Sequence, residues 1–208
     1  MPARVAPLLL AAATVLALSG GSCSSDKSNG DDPTLPTTRQ PTPTTTTTPE
    51  DPYAIPKVID EAYVNRVLAA LDQIDGDALR EVVSKGAVTF ESVERIRAIY
   101  NDPEYEQQSD GLRDVVKDLG RFRNPPGNRK TTVLRLPHVN TTCIVTNVTA
   151  DFGQVVISPP TTEPGEFQLL ILERTQSGAD PKRLNPTSWS IRHDEVLREG
   201  QRQDERCD

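Results

Sequence analysis

The chain has 208 residues, 35% hydrophobic and only 4% aromatic, and its 30 Asp and Glu outnumber 23 Lys and Arg for a net charge of -7. An acidic balance with few rings for stacking argues against a nucleic-acid partner, whose phosphates call for a basic face. Three cysteines without any Cys-x-x-Cys, and two histidines without a His-x-x-x-His, argue against a metal centre. No phosphate loop, dinucleotide fingerprint or Gly-x-Ser-x-Gly is present, so no cofactor is expected.

Residues 1–22 read as an export signal: Arg4, an apolar run from Val5 to Leu18, then small residues through Ser22. The run is shorter than the roughly 20 apolar residues that span a bilayer. Gly21 and Ser22 before Cys23, and the polar Ser24-Ser25-Asp26 after it, resemble a bacterial lipoprotein signal, with Gly20 where that pattern usually has Leu. The resemblance implies cleavage before Cys23 and a palmitate-type lipid on its thiol; ordinary cleavage after a small residue is the alternative. Arg exceeding Lys, with an Ala-rich leader, is similar to the usage of actinobacterial exported proteins. The expected place is therefore the outer face of the cell membrane, lipid-anchored, or else secretion.

Residues 23–52 carry the lipid-bearing cysteine and a Ser-, Thr- and Pro-rich segment with little to bury, including Thr44 to Thr48 in succession. Such a composition is a disordered linker. About 29 residues of extended, proline-rich chain reach on the order of 90 Å. Thr beside Pro is the composition both of O-glycosylated stalks and of plain spacers.

Residues 53–200 suffice for one domain. Tyr63, Val67, Ala70, Leu71 and Ile74 recur at helical spacing, with Asp72 and Asp75 on other faces. Asp75-Gly76-Asp77 is expected to break that helix, with Asp77 capping a second one that carries Leu79, Val82 and Val83 and ends at Gly86. Thr89 caps a third, bearing Val93, Ile96, Ile99 and Tyr100, with Pro103 beyond it. A fourth places Leu112, Val115, Val116, Leu119 and Phe122 on one face and stops before Asn124-Pro125-Pro126-Gly127.

Beyond that break the period becomes alternating and β-branched residues dominate, predicting strands over 131–139, 142–150 with a continuation at 154–158, 166–175 and 188–197. Short connections favour an antiparallel meander, since parallel neighbours need crossover helices. The fold class is α+β, with N-terminal helices packed on a curved antiparallel sheet of four to five strands. Residues 201–208 form a charged tail. With Cys23 lipidated, Cys143 and Cys207 remain as a possible disulfide that ties this tail to the body; two unpaired thiols are the alternative.

Helices first, then a meander whose last strand reads Trp189-Ser190-Ile191-Arg192 after the loop from Thr175 to Pro186, resembles the nuclear transport factor 2-like superfamily over roughly Ile59 to Leu197. The resemblance implies a cone-shaped sheet enclosing a pocket. The superfamily holds isomerases, cyclases and dehydratases beside many non-catalytic domains, so the fold alone does not assign an activity.

Candidate chemistry is sparse. Tyr63 and Asp151 are the candidates for isomerase-type work, against a plain core tyrosine and turn aspartate. Strict alternation would put Trp189, Ile191 and His193 on one face, making Tyr63, Trp189 and His193 candidate pocket residues, while His138 sits near a strand end. Arg121, Arg123, Arg129 and Lys130 gather between the helices and the sheet, where they either grip an anion or complement a helix C-terminus. Asn140 and Asn147 match the N-glycosylation pattern and read as ordinary strand residues.

These features lead to a non-catalytic, membrane-tethered binding or assembly domain that engages an envelope protein or a small apolar ligand. The alternatives are a pocket enzyme of the isomerase or cyclase kind and a purely structural envelope component.

Overall fold

A computed structural model describes residues 54–161, 163, 165–198 and 207. The expected export signal, the expected lipidation at Cys23, the expected linker to residue 52 and most of the expected 201–208 tail lie outside the described residues. Helix α1 (Glu61–Lys85) begins where Asp60, in extended conformation, accepts the backbone N–H of Tyr63 at 2.8 Å. It ends at Gly86, whose φ of 63° suits a residue without Cβ.

The expected break at Asp75-Gly76-Asp77 does not occur, and α1 passes straight through it. A mid-helix glycine costs about 1 kcal/mol against alanine, which tertiary contacts can offset. Here the missing side chain leaves a notch: a Cβ on Gly76 would lie 2.2 Å from Asn128 Oδ1. Asn128 is held over the notch by Arg80, which donates to its Oδ1 at 2.8 Å, and by its own Nδ2 donating to Gln73 at 2.6 Å. Asp77 caps nothing and instead accepts from Arg80 at 2.5 Å.

Helix α2 (Phe90–Ile99) opens with a reciprocal cap between Thr89 and Ser92. Helix α3 (Glu104–Lys117) follows. A single 3-10 turn, Leu119–Arg121, then leaves Phe122 in extended chain and off the helical face expected for it.

Strands β1 (Lys130–Val139), β2 (Cys143–Asp151), β3 (Glu166–Arg174) and β4 (Trp189–Arg198) form one antiparallel sheet in chain order. The protein is thus α+β, three helices packed with a four-stranded sheet. The continuation expected at 154–158 is no strand. Gly153 N–H donates to Asp151 at 2.7 Å, the chain turns, and Val156 makes only an isolated bridge to Phe122. The longer β3–β4 loop is fastened by Asn185, 1% exposed, whose Nδ2 donates to the carbonyls of Ala98 and Trp189 at 2.9 and 2.8 Å.

Both faces of the sheet carry apolar side chains. On the helix side Ile144, Val148, Leu170, Leu172 and Trp189 meet Val64, Leu68, Leu71, Ile96 and Ile99 in the main core. Each fully buried side chain of this size contributes roughly 1.5–3 kcal/mol. On the outer side Cys143, Val145, Leu169, Ile171 and Leu197 form a second cluster, joined by Cys207 through its disulfide to Cys143, with Cα atoms 5.9 Å apart. Among the described residues no helix is long and apolar enough to cross a membrane.

The phase of β4 changes partway. Ile191 lies opposite Leu172, but His193 lies opposite Ile171, so β4 carries one extra residue there. Before this bulge Trp189 and Ile191 face the helices; after it His193 faces outward and Asp194, opposite Leu170, faces the helices.

Candidate functional site

Four elements bring ionisable groups together on the helix side of the sheet. The chain crossing the notch at Gly76 delivers Arg129 to the face of α1 that carries Asp72 and Asp75. Arg129 Nε donates to Asp72 Oδ1 at 2.7 Å, Nη1 lies 3.9 Å from Asp194 Oδ2, and Nη2 donates to the Tyr100 hydroxyl at 3.3 Å. Asp72 is also fixed by Thr131, whose N–H and hydroxyl donate to it at 2.8 and 2.9 Å. Tyr100, just past α2, is positioned by a bridge to Ile191 in which Asn101 N–H donates to the Ile191 carbonyl at 2.9 Å.

One guanidinium thus faces three carboxylates, and burial shifts two of them, Asp75 and Asp194. Burial raises the Asp194 carboxyl from 3.8 to about 6, against the opposing pull of Arg129. Asp75 is also raised, first by burial, with Arg129 opposing and Asp72 reinforcing. Burial, again partly opposed by Arg129, holds the Tyr100 phenol well above its ordinary value, so it stays protonated. Burial alone would lower Arg129, but the carboxylates of Asp75, Asp72 and Asp194 oppose it and the guanidinium stays charged.

Asp75 and Arg129 form the polar end of a cleft of about 300 Å³. Its walls are Leu79 of α1, Ile96 of α2, Leu112 and Val115 of α3, and Phe122, Phe152, Val155 and Val156 beyond them. Gly111 of α3 also lines it, and a Cβ there would meet nothing within 4 Å. An apolar cleft of this size, at the low end of the roughly 300–1,000 Å³ typical of small-molecule sites, ending in charge, is suited to an amphiphile.

The residues singled out from sequence fall elsewhere, Arg129 apart. Tyr63 and Trp189 do meet, but in the core: Trp189 Nε1 donates to the Tyr63 hydroxyl at 2.8 Å and both are buried. The β4 bulge turns His193 to the outer face, away from both, where it lies 3.4 Å from Glu195. His138 is likewise on the outer face, opposite Val145, and bonds Asn140 at 3.0 Å. Asp151 serves its turn, Asn140 caps the β1–β2 turn by accepting from Thr142 and Cys143, and Asn147 is buried in β2.

The basic group is dispersed. Arg121 pairs with Asp118 at 3.6 Å, Arg123 donates to the Gly153 carbonyl at 2.8 Å, Lys130 lies exposed opposite Asp151, and Arg129 is drawn inward. Among the described residues no group of three His, Cys, Asp or Glu is arranged to hold a metal ion.

Asp72, Asp75, Tyr100 and Asp194 were not legible as a site. One signal was available: Asp72 follows Leu68, and Asp75 follows Leu71, by four residues, placing both one turn along from core positions. The chain matches no protein-family model, no curated protein and no solved structure.

Proposed function

We propose that this chain is a non-catalytic, membrane-tethered binding domain of the cell envelope that receives a small apolar ligand in the cleft between α1, α3 and the β2–β3 loop. We read its helices and meander as a nuclear transport factor 2-like cone. The observation that carries the proposal is the apolar cleft ending at Asp75 and Arg129. The lipoprotein-like leader and the long linker support the tether, since a flexible tether raises local concentration without imposing orientation.

The test is native mass spectrometry of the protein extracted from its own membrane, wild type beside Gly111→Leu, which fills the cleft from an open position on α3. A small molecule retained by the wild type and absent from the variant is the expected result. The same mass on both, or none on either, overturns the binding reading. A diacylglyceryl mass on Cys23, read after denaturation, tests the anchor separately.

A pocket enzyme is the second reading, and one observation favours it: Asp194, raised to about 6, exchanges its proton near neutral pH beside the cleft's charged end. Asp75 and Asp194 are then the acid–base groups. Unchanged turnover of the extracted small molecule in Asp75→Asn and Asp194→Asn removes that reading.

A further inference from the structure

We propose that the ligand of this cleft is an apolar cation, whose protonated amine docks against Asp75 while its hydrocarbon part lies between α1 and α3. This inference rests on reading the cleft as a binding site and adds the charge of its occupant.

The argument begins with what Arg129 has left to offer. Its three nitrogens are directed at Asp72, Asp194 and the Tyr100 hydroxyl, and its side chain is only 10% exposed. An anion entering the cleft therefore finds a guanidinium whose charge is already shared between two carboxylates and a phenol. It would also meet Asp75, with Asp72 and Asp194 behind it and Glu104 close enough to act on Asp194. Arg129 and Asp75 are the only charged groups among the cleft's lining residues; α3 and the loops contribute Gln108, glycines and apolar side chains. With one cation set against three carboxylates, the unmet charge at the cleft's end is negative.

Among the described residues no group of the cluster donates a hydrogen bond to Asp75, and burial is the largest influence on its carboxyl. A carboxylate so placed gains most from an ammonium group, since a charge-assisted hydrogen bond is roughly twice as strong as a neutral one. The ammonium recovers the same contact for its own lost hydration. Below the raised pKa of Asp75 the cation displaces a proton, so its affinity rises with pH until Asp75 is fully ionised. Arg129, Asp72, Tyr100 and Asp194 lie close enough to Asp75 to interact with it electrostatically, and they shift the midpoint of that rise.

The test titrates the detergent-solubilised full chain with octylamine and with octan-1-ol, probes of equal chain length, by calorimetry at pH 7. Octylamine is expected to bind about tenfold more tightly than octan-1-ol, a 1.4 kcal/mol difference. Asp75→Asn should abolish that preference without weakening octan-1-ol, and Gly111→Leu should weaken both probes. If both probes bind equally and both are lost in Gly111→Leu, the cleft is a binding site but the cation inference fails. Octanoate binding more tightly than octylamine also overturns it. If Gly111→Leu leaves both probes unaffected, their binding is elsewhere on this acidic surface and the cleft reading itself fails.

Discussion

Asp194 faces Arg129 across 3.9 Å because β4 carries one residue more than β3 at Arg192. Without that extra residue the alternation begun by Trp189 and Ile191 would put His193 on the helix side and Asp194 outside. A bulge that re-aims a side chain is common beside functional sites. The cluster should depend on its one cation: Arg129→Met leaves Asp72, Asp75 and Asp194 facing one another, with an expected loss of about 3–5 kcal/mol. Urea unfolding measures it, and a loss below about 1 kcal/mol would mean the aspartates do not rely on Arg129.

Stability should fall as pH rises from about 4 to about 6. The Asp194 carboxyl titrates at 3.8 when unfolded and at about 6 when folded, so the native state binds the extra proton between those values. The contribution is full below pH 4 and is lost as Asp194 ionises, on the order of 2–3 kcal/mol at 1.36 kcal/mol per pH unit. Asp75, raised as well, acts in the same direction. Asp194→Asn should flatten this slope, measured as urea midpoints across the window; an unchanged slope would assign it to other groups.

Two helical glycines should respond to alanine with opposite signs. Gly111→Ala enters open space and should stabilise by roughly 0.4–1 kcal/mol. Gly76→Ala should destabilise despite its better helix propensity, because the new methyl displaces Asn128 from Arg80 and Gln73 and loosens the segment that carries Arg129. Thermal midpoints of the two variants decide it, and a gain in both would show that the notch is not used.

Trp189 is the chain's single tryptophan and is fully buried, so its emission reports on the core. Tyr63→Phe leaves its Nε1 proton without the acceptor 2.8 Å away and should cost about 1–3 kcal/mol. Fluorescence-monitored unfolding would show this as a lower midpoint with an unchanged slope. An unchanged midpoint would mean that Nε1 finds another acceptor.

The α+β order and the meander were legible because helical and alternating periods are local and change sharply at Asn124-Pro125-Pro126-Gly127. Caps at Thr89 and Gly86 were legible for the same reason. The continuity of α1 was not, since the contact that tolerates Gly76 comes from Asn128, 52 positions away. Nor was the site: Asp72 and Asp75 look like solvent positions until Arg129 is placed beside them. Asp194 needs a bulge that no residue near Arg192 announces. Among the pocket candidates, Tyr63 and Trp189 share a core contact, and the phase shift separates His193 from them.

The bond between Cys143 and Cys207 closes a covalent ring that contains all of β2, β3 and β4 and leaves β1 and the helices outside it. A single cut anywhere inside that ring, for instance in the connection between β3 and β4, leaves one molecule of undiminished mass with the severed strand ends still held in register by the sheet. A cut outside the ring divides the chain in two. For a protein expected to work beyond the cytoplasm, among proteases, the strands of the sheet are thereby the part best kept together after damage, and only a reductant turns such a nick into a loss.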